Sequence, residues 1–364
     1  MYITLLILCA LTLLVYATLK LPVFGRLPEG ARLERIRQLP NAAGDELQNQ
    51  SLTPMVPEGG YPAIIKAMLK GNPNSRPVTA LPHVLPELDS VSGAKLTWFG
   101  HSSYLLQLDT LKILVDPVFS QTPSPFSFIG KKQYAGTDFI RAEDFPAIDV
   151  LLITHDHYDH MDYQSILKLK DRVKHFLTSA GAGSHLIRWG IPAEKITELA
   201  WEEQAVLCGL KFTAKPARHF TGRLLKRNRT LWSSFILETP EHKLFLGGDS
   251  GYDSHFKVIG EEHGPFDLAI LECGQYNELW PLIHMFPEQT VMAAKDLKAK
   301  VLLPVHWAKF TLALHDWNDS VLRVTKSAEE SAQRITTPLL GETFLLGGDY
   351  PQTKWWLNIE NGKQ

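Results

Sequence analysis

The chain has 364 residues, of which 45% are hydrophobic and 21% are charged, a balance typical of a folded globular protein. Its formal net charge is −2, so there is no global positive field to attract nucleic acid, and no nucleic-acid partner is expected. The three cysteines, Cys9, Cys208 and Cys273, are odd in number and widely spaced, which argues against a disulfide framework.

The first predicted element is an uncharged apolar stretch from Tyr2 to Leu19. Its 18 residues approach the roughly 20 that a membrane-spanning helix needs. A signal peptide usually begins with a basic region, but the first basic residue here is Lys20. The pattern therefore favours an uncleaved membrane anchor, with a cleaved signal peptide and a buried helix of the folded domain as alternatives. Basic residues follow this stretch, so the positive-inside rule predicts a cytoplasmic folded domain.

Residues 21–93 are expected to form an arm packed on the folded domain. Ten prolines recur in this segment, which excludes long helices and central strands. Two short helices are predicted, Ala31–Gln38 and Tyr61–Lys70. Apolar side chains such as Ile65 and Leu69 are too frequent here for a purely solvated linker.

Strands and helices mix from residue 94 onward, and we expect residues 94–364 to form one catalytic domain after a membrane segment (1–20) and the arm. Apolar, β-branched runs predict strands at Lys95–Phe99, Ser103–Leu108, Lys112–Val115, Val150–Ile153, Leu210–Ala214, Ser234–Glu238, Lys243–Leu246, Leu268–Leu271 and Val301–Pro304. Helical patterns and N-terminal signals predict helices at Tyr163–Lys170, Ala182–Trp189 and Pro287–Leu297. This order indicates an α/β (α+β) fold.

The run Thr154–His160, with the sequence THDHYDH, directly follows the predicted strand Val150–Ile153. Neutral imidazole and carboxylate are ligands that Zn²⁺ and its first-row neighbours accept. A strand that ends in His-x-His-x-Asp-His therefore predicts a metal-binding loop.

Three further ligand types follow apolar strands later in the chain: His219, Asp249 and His306. Taken alone, each is better explained by an ordinary structural role: His219 as a surface histidine, Asp249 as a turn residue and His306 as a buried histidine. In α/β folds, binding and catalytic residues usually lie at the carboxyl ends of strands. Together with the His-rich loop, the three predict one composite metal site.

The order His-x-His-x-Asp-His, then His, Asp and His resembles the metallo-β-lactamase superfamily of hydrolases. Further motifs resemble its N-acylphosphatidylethanolamine-hydrolysing phospholipase D branch and the bacterial relatives of that branch. They are Trp98–Ser103, Asp116–Ser120, Pro216–His219, Leu231–Ser234, Gly248–Tyr252, Gly264–Leu268 and His306-Trp307. The resemblance covers roughly residues 95–316, and it implies a four-layer αββα sandwich.

The resemblance also implies two divalent metal ions. His155, His157 and His219 would bind the first; Asp159, His160 and His306 would bind the second; Asp249 would bridge both. Zinc is the leading metal, with manganese and iron left open. A water held by two such ions loses its proton near pH 7, which supplies a nucleophile; Asp159 and Asp249 are accordingly the predicted catalytic carboxylates.

Other residues receive supporting roles. His284 matches a position near the substrate in the resembled family, so we expect it to contact the phosphate or the leaving group; an ordinary loop histidine is the alternative. Asp156 and Asp162 are expected to orient ligand imidazoles. His101 is expected beside the ligands or in contact with substrate, and Tyr276 beside substrate.

A basic loop follows His219 directly. Its charges suit either a solvated face or a phosphate-bearing or anionic membrane partner. They belong to Arg218, Arg223, Lys226, Arg227 and Arg229. Of these, Arg223 is the predicted substrate contact.

These observations predict a membrane-anchored, dinuclear metal hydrolase that acts on a phosphodiester of a phospholipid or another small phosphodiester. A lactonase or thioester hydrolase of the same fold is the first alternative. A non-catalytic membrane protein that keeps metal for stability is the second. The motifs do not specify headgroup, metal identity or oligomeric state.

Overall fold

The computed structural model describes residues 2–89, 92–223 and 226–359. Met1, the first residue of the predicted membrane segment, and residues 360–364, the end of the predicted catalytic domain, lie outside the described residues. Helix α1 (Tyr2–Leu19) has no buried residue and a mean hydropathy of 2.3. Its length and composition fit a membrane anchor and equally a signal sequence. The alternative of a buried helix is wrong, because no part of α1 packs inside the fold.

The arm contains helix α2 (Ala31–Arg37), the short strands β1 (Ala42–Ala43) and β2 (Glu46–Leu47), and helix α3 (Gly60–Lys70). Both predicted helices are confirmed. Ile36 and Leu47 are buried against Ala180, Leu231 and Trp232. The apolar residues of α3 do not pack in the same way, since Ile65 and Leu69 are exposed.

The remaining described residues form two sheets and five α-helices. The strands are β3 (Ala94–Trp98), β4 (Tyr104–Leu108), β5 (Leu111–Val115), β6 (Ile148–Ile153), β7 (Val173–Ser179), β8 (Ile196–Leu199), β9 (Gln204–Leu207), β10 (Leu210–Lys215), β11 (Ser234–Glu238), β12 (Lys243–Leu246), β13 (Leu268–Glu272), β14 (Leu302–Val305) and β15 (Thr343–Leu345). The helices are α4 (Tyr163–Leu169), α5 (Gly183–Arg188), α6 (His255–Glu262), α7 (Pro287–Asp296) and α8 (Asp319–Glu330).

One sheet has the strand order β15-β3-β4-β5-β6-β7-β8 and the other the order β14-β13-β12-β11-β10-β9. Pairing is parallel from β5 through β8 and from β12 through β14. Because the carboxyl ends of parallel strands meet at one edge, the loops that follow β5, β6, β12, β13 and β14 are brought together in two groups.

Side-chain alternation along the strands produces the four layers. In β6, Val150 and Leu152 lie in the core cluster that both sheets share. Leu151 and Ile153 point the other way, into the cluster formed with α4 and α5. Helices α6, α7 and α8 cover the other sheet through residues such as Ile259, Val291 and Val324. The predicted αββα sandwich is confirmed.

A tryptophan cluster lies directly under the loop that carries His306. The ring of Trp307 lies 5.2 Å from that of Trp98 and 5.3 Å from that of Trp355, measured between centroids. Trp356 lies 5.8 Å away on another side. The last described turn of the chain therefore supports the strand end that places His306.

Candidate metal centre

The predicted ligands follow strands of both sheets. The His-rich loop follows β6 of the seven-stranded sheet, whereas His219, Asp249 and His306 follow β10, β12 and β14 of the six-stranded sheet. Nearly all of these side chains are buried. The site is thus assembled across the gap between the sheets.

The first ligand group consists of His155, His157, His219 and Asp249, whose ligand atoms all lie within 4.8 Å of one another. Nε2 of His155 is 2.9 Å from Nδ1 of His157. Nε2 of His219 is 3.3 Å from the same Nδ1 atom and 3.7 Å from Oδ2 of Asp249. These are the residues predicted for the first metal and the bridge.

The second group consists of His101, Asp159, His160 and His306. Oδ2 of Asp159 lies 3.6 Å from Nε2 of His160 and 4.0 Å from Nε2 of His306. His101 was expected beside the ligands or the substrate; its Nε2 lies 2.9 Å from the same Asp159 oxygen. The predicted second set therefore converges, with His101 as an additional close neighbour.

Asp249 lies between the two groups. Its Oδ2 atom is 3.1 Å from Nε2 of His160 and 3.8 Å from Nε2 of His155. A carboxylate at this position can bind two cations at once.

The residues present fit divalent metal ions. Nε2 of His160 and Oδ1 of Asp249 are buried and have no hydrogen-bond partner among the described residues, and such orphaned groups are costly unless something binds them. Burial alone would lower the pKa of His160, but Asp249, Asp159 and Asp116 raise it well above 6.5. The carboxylates of this pocket thus favour a bound positive charge. Imidazole with carboxylate is a suitable donor set for Zn²⁺ and other first-row ions.

Hydrogen bonds fix which nitrogen of each ligand faces the cluster. Nδ1 of His219 donates to the carbonyl of Ile283 at 2.8 Å, and Nδ1 of His160 donates to Oδ2 of Asp116 at 2.8 Å. Burial lowers the pKa of His155 and of His219 well below 6.5. Their Nε2 lone pairs are therefore free for a metal.

Sequence reasoning assigned no role to Asp116, yet it supports both groups. Its Oδ2 atom accepts hydrogen bonds from His160 and from Oγ1 of Thr154, the latter at 2.7 Å. Oγ1 of Thr154 in turn accepts from Nδ1 of His155 at 3.0 Å. The available signal was its position at the end of β5, next to β6 in the parallel pair, so that its carboxylate had to lie beside the His-rich loop.

Three non-glycine residues of the site have left-handed backbone conformations: His101 with φ 51°, Asp116 with φ 42° and His306 with φ 69°. Such conformations are costly and are concentrated at functional sites. The amide of His306 donates to the carbonyl of His101 at 2.9 Å, and the amide of His101 donates to the carbonyl of Trp307 at 2.7 Å. These two hydrogen bonds join the loop that contains His101 to the loop that contains His306, both of which have a left-handed residue.

Comparison with known proteins agrees with this geometry. Residues 112–307 match the family model described as the beta-lactamase superfamily domain.

The chain belongs to the metallo-β-lactamase superfamily.

An uncharacterized protein of Mycobacterium tuberculosis is 39% identical over 288 residues, which cover 78% of this chain and 77% of that protein. N-acyl-phosphatidylethanolamine-hydrolyzing phospholipase D 1 of Caenorhabditis elegans is 32% identical over 245 residues, or 64% of this chain and 68% of that enzyme. The solved structure of Igni18, a metallo hydrolase of Ignicoccus hospitalis, covers 70% of this chain and 98% of its own with a TM-score of 0.53 and 23% identity, which shows the shared fold. By its membership the protein is a metal-dependent hydrolase.

His284 lies at the edge of the candidate metal centre, and one of its ring nitrogens falls within 4.8 Å of a carboxylate oxygen of Asp249 and of a ring nitrogen of His306. Its Nδ1 is 3.4 Å from Oε2 of the buried Glu272. Burial raises the pKa of Glu272 to about 7, and this carboxyl raises the pKa of His284 although burial opposes it. The side chains of His284 and Asp159 are 12% and 14% exposed, so both reach the open side of the centre.

The other predicted supporting residues lie further from the ligands. Asp162 caps α4 by accepting from the amides of Gln164 and Ser165. Asp156 binds His185 instead of a ligand imidazole, with 3.2 Å between Oδ2 and Nε2. The hydroxyl of Tyr276 donates to Asp319.

The basic loop divides into buried and exposed charges. Arg223 is 4% exposed and donates to backbone carbonyls, not toward the centre. Arg229 pairs with Asp45, and Arg218 binds the carbonyl of Leu52. Lys226 and Arg227 are the exposed cations of this loop.

Proposed function

We propose that the protein hydrolyses a phosphodiester bond of a membrane lipid of the N-acylphosphatidylethanolamine type, with two divalent metal ions, zinc foremost. The observation that carries this proposal is the meeting of two ligand groups at Asp249. Two divalent ions held by these residues would supply positive charge for the attacking and leaving oxygens of a phosphodiester displacement. The similarity to the phospholipase D of C. elegans supports the lipid class.

The protein's own groups would divide the remaining work. When bound, the two ions would lower the pKa of a shared water and balance the charge of the phosphate oxygens. His101 donates from Nε2 to Asp159 and so fixes that carboxylate. Glu272 lies beside Nδ1 of His284 and favours the protonated form of this histidine. The proton on the other ring nitrogen of His284 would then be donated to the departing oxygen by general acid catalysis.

Helix α1 supports a lipid substrate. As a membrane anchor it would hold the catalytic domain at the bilayer, and the basic residues after it favour the cytoplasmic side. Residues 22–26 continue from α1 directly onto the catalytic domain. A substrate that stays in the bilayer would then meet the site without leaving the membrane.

The test uses full-length protein purified in detergent. Metal content is measured together with hydrolysis of N-acylphosphatidylethanolamine and bis(p-nitrophenyl) phosphate, before and after chelation and after restoring Zn²⁺. Roughly two ions per chain and chelator-sensitive release of phosphatidic acid are expected. Two ions without cleavage of either phosphodiester, but with cleavage of a lactone or thioester, would overturn the substrate class and leave the metal centre standing.

A further inference from the structure

The short segment after α1 packs on the back of the His-rich loop. Nε1 of Trp189 donates to the carbonyl of Pro22 at 2.6 Å. An Nη2 group of Arg223 donates to the carbonyl of Val23 at 3.0 Å. The amide of Arg26 donates to Nδ1 of the buried His185 at 3.0 Å. We name residues 22–26 the juxtamembrane clamp.

Arg223 joins this clamp to the ligand loop. Its Nη1 donates to the carbonyls of Asp156 and Met161, each at 2.8 Å, and these two residues bracket His157, Asp159 and His160. The guanidinium lies over the ring of Tyr158, with 4.1 Å to the centroid. The planar guanidinium can donate hydrogen bonds to three carbonyls at once, which a lysine amine does less well.

A second connection runs through Gly25 and His185. Because Nδ1 of His185 accepts from Arg26, its Nε2 carries the hydrogen that Asp156 accepts at 3.2 Å. Asp156 stands in the chain between the predicted ligands His155 and His157. Gly25 has φ 72°, and a Cβ there would lie 1.9 Å from Nδ1 of His185. Only glycine therefore allows this close approach.

We propose that the juxtamembrane clamp is a positioning element of the metal centre, acting through Arg223 and His185 on the loop His155–His160. Asp116 supports the imidazoles of His155 and His160 from one side of that loop. From the other side, Arg223 and His185 bind the backbone carbonyls of Asp156 and Met161 and the Asp156 carboxylate. The segment that leaves the membrane helix is thereby part of the metal-binding scaffold. This role does not depend on which substrate the enzyme hydrolyses.

Gly25→Ala in the full-length protein tests the proposal, and Gly44→Ala is the matched control. Gly44 also has a left-handed backbone, with φ 65°, but a Cβ there would meet nothing within 4 Å. Both variants place alanine at a positive φ, and only the first meets His185. Because Gly25 also has ψ −151°, its backbone cost is the larger, and the melting temperature of the metal-free protein separates that cost from an effect on Zn²⁺ binding. Zn²⁺ affinity is measured by competition with a chromogenic chelator, together with the melting temperature of the metal-free protein.

Gly25→Ala should weaken Zn²⁺ binding by about tenfold or more, the scale expected when support of a ligand is lost, while Gly44→Ala should bind as wild type does. Arg223→Lys keeps the charge but not the fork, and it should weaken binding in the same direction if Gly25→Ala fails to fold. Unchanged Zn²⁺ affinity in both Gly25→Ala and Arg223→Lys, even with a lower melting temperature, would overturn the proposal. Zn²⁺ affinity is measured without any substrate. A failure of this proposal can therefore be distinguished from a failure of the proposed phosphodiesterase activity.

Discussion

Oδ2 of Asp116 accepts a hydrogen bond from Nδ1 of His160 at 2.8 Å, and this contact crosses from the end of β5 to the loop after β6. Through Thr154 the same carboxylate also supports His155. One aspartate thus orients an imidazole in each of the two ligand groups. The two ligand groups are therefore connected through Asp116 as well as through Asp249.

Asp116→Asn should weaken the binding of both metals, because an amide nitrogen in place of the carboxylate oxygen loses the charge-assisted bonds to His160 and Thr154. Loss of such support typically costs 10–100-fold in metal affinity. A chelator-competition titration measures the change, and Asp171→Asn, an exposed acid after α4, is the control. Wild-type affinity for both ions in Asp116→Asn would contradict this role.

Asp249→Asn should lower hydrolysis of every substrate by about 100-fold or more, because the buried carboxylate that lies between the two groups then loses its charge. The metal content of the purified variant should fall below that of wild type. Activity and metal content are assayed on the same sample. If the variant equalled wild type with every substrate tested, the assignment of Asp249 as a catalytic carboxylate would be wrong.

His284→Gln should affect substrates according to their leaving groups. A departing lipid alkoxide needs a proton, and removing a general acid typically costs 10²–10⁴-fold; p-nitrophenolate departs without one. We therefore expect a loss of about 100-fold on the lipid and a much smaller one on bis(p-nitrophenyl) phosphate. Equal losses on both would mean that His284 positions the phosphate and does not act as an acid.

Lys226→Gln/Arg227→Gln should reduce the activity on a phosphodiester more than that on a neutral lactone, since these exposed cations of the basic loop attract a negative substrate. Arg223 is unsuitable for this test because its guanidinium is buried. The ratio of kcat/KM values on the two substrates is the measurement, repeated at high salt. If this ratio were the same in the variant as in wild type, the basic loop would give no electrostatic reason to prefer a phosphodiester over a lactone as the substrate.

Lys309→Met should change how stability depends on pH. Lys309 is fully buried, with its amine 5.1 Å from the centroid of the Phe119 ring, and burial lowers its pKa to about 7. Above that pH the native state releases a proton that the unfolded chain keeps up to a pKa of about 10.4. The free energy of unfolding of wild type should therefore rise with pH relative to the variant, by at most about 1.4 kcal/mol per pH unit.

The measurement is thermal unfolding of wild type and Lys309→Met at pH 6, 7, 8 and 9. The melting temperature of wild type should approach that of the variant as the pH rises from 7 to 9. Between pH 6 and 7 the difference should change much less than between pH 7 and 9, because at least half of the Lys309 amines of the native state are still protonated there. Parallel curves over the whole range would show that Lys309 does not release its proton.

Strands with uninterrupted apolar runs were predicted to within two residues, as β11 and β12 illustrate, because full burial leaves a strong local pattern. The strands β7, β8, β9 and β15 were missed. In β7 the run begins Val173-Lys174-His175, and its polar start hides a strand whose later residues are buried. Helix α8 was missed because it is polar except for a narrow buried stripe that includes Val321 and Val324.

The clustering of the predicted ligand side chains could be predicted from the sequence because they follow recognisable strand ends and their order resembles the metallo-β-lactamase superfamily. Their role as metal ligands stays a prediction. The supporting contacts could not be predicted, because they depend on which strands are neighbours. Asp116 is 44 residues from His160, and only the parallel pairing of β5 with β6 brings them together. Arg223 shows the opposite case, because a charge that looks exposed in the sequence is buried and binds carbonyls of two distant segments, Val23 and the loop from Asp156 to Met161.

The tryptophan cluster gives the protein an intrinsic optical reporter. Trp307 is bonded directly to His306, and its indole contacts those of Trp98, Trp355 and Trp356. Any adjustment of His306 is passed to these coupled chromophores through one peptide bond. Near-ultraviolet circular dichroism and fluorescence can therefore follow occupancy of the neighbouring ligand group in unlabelled protein.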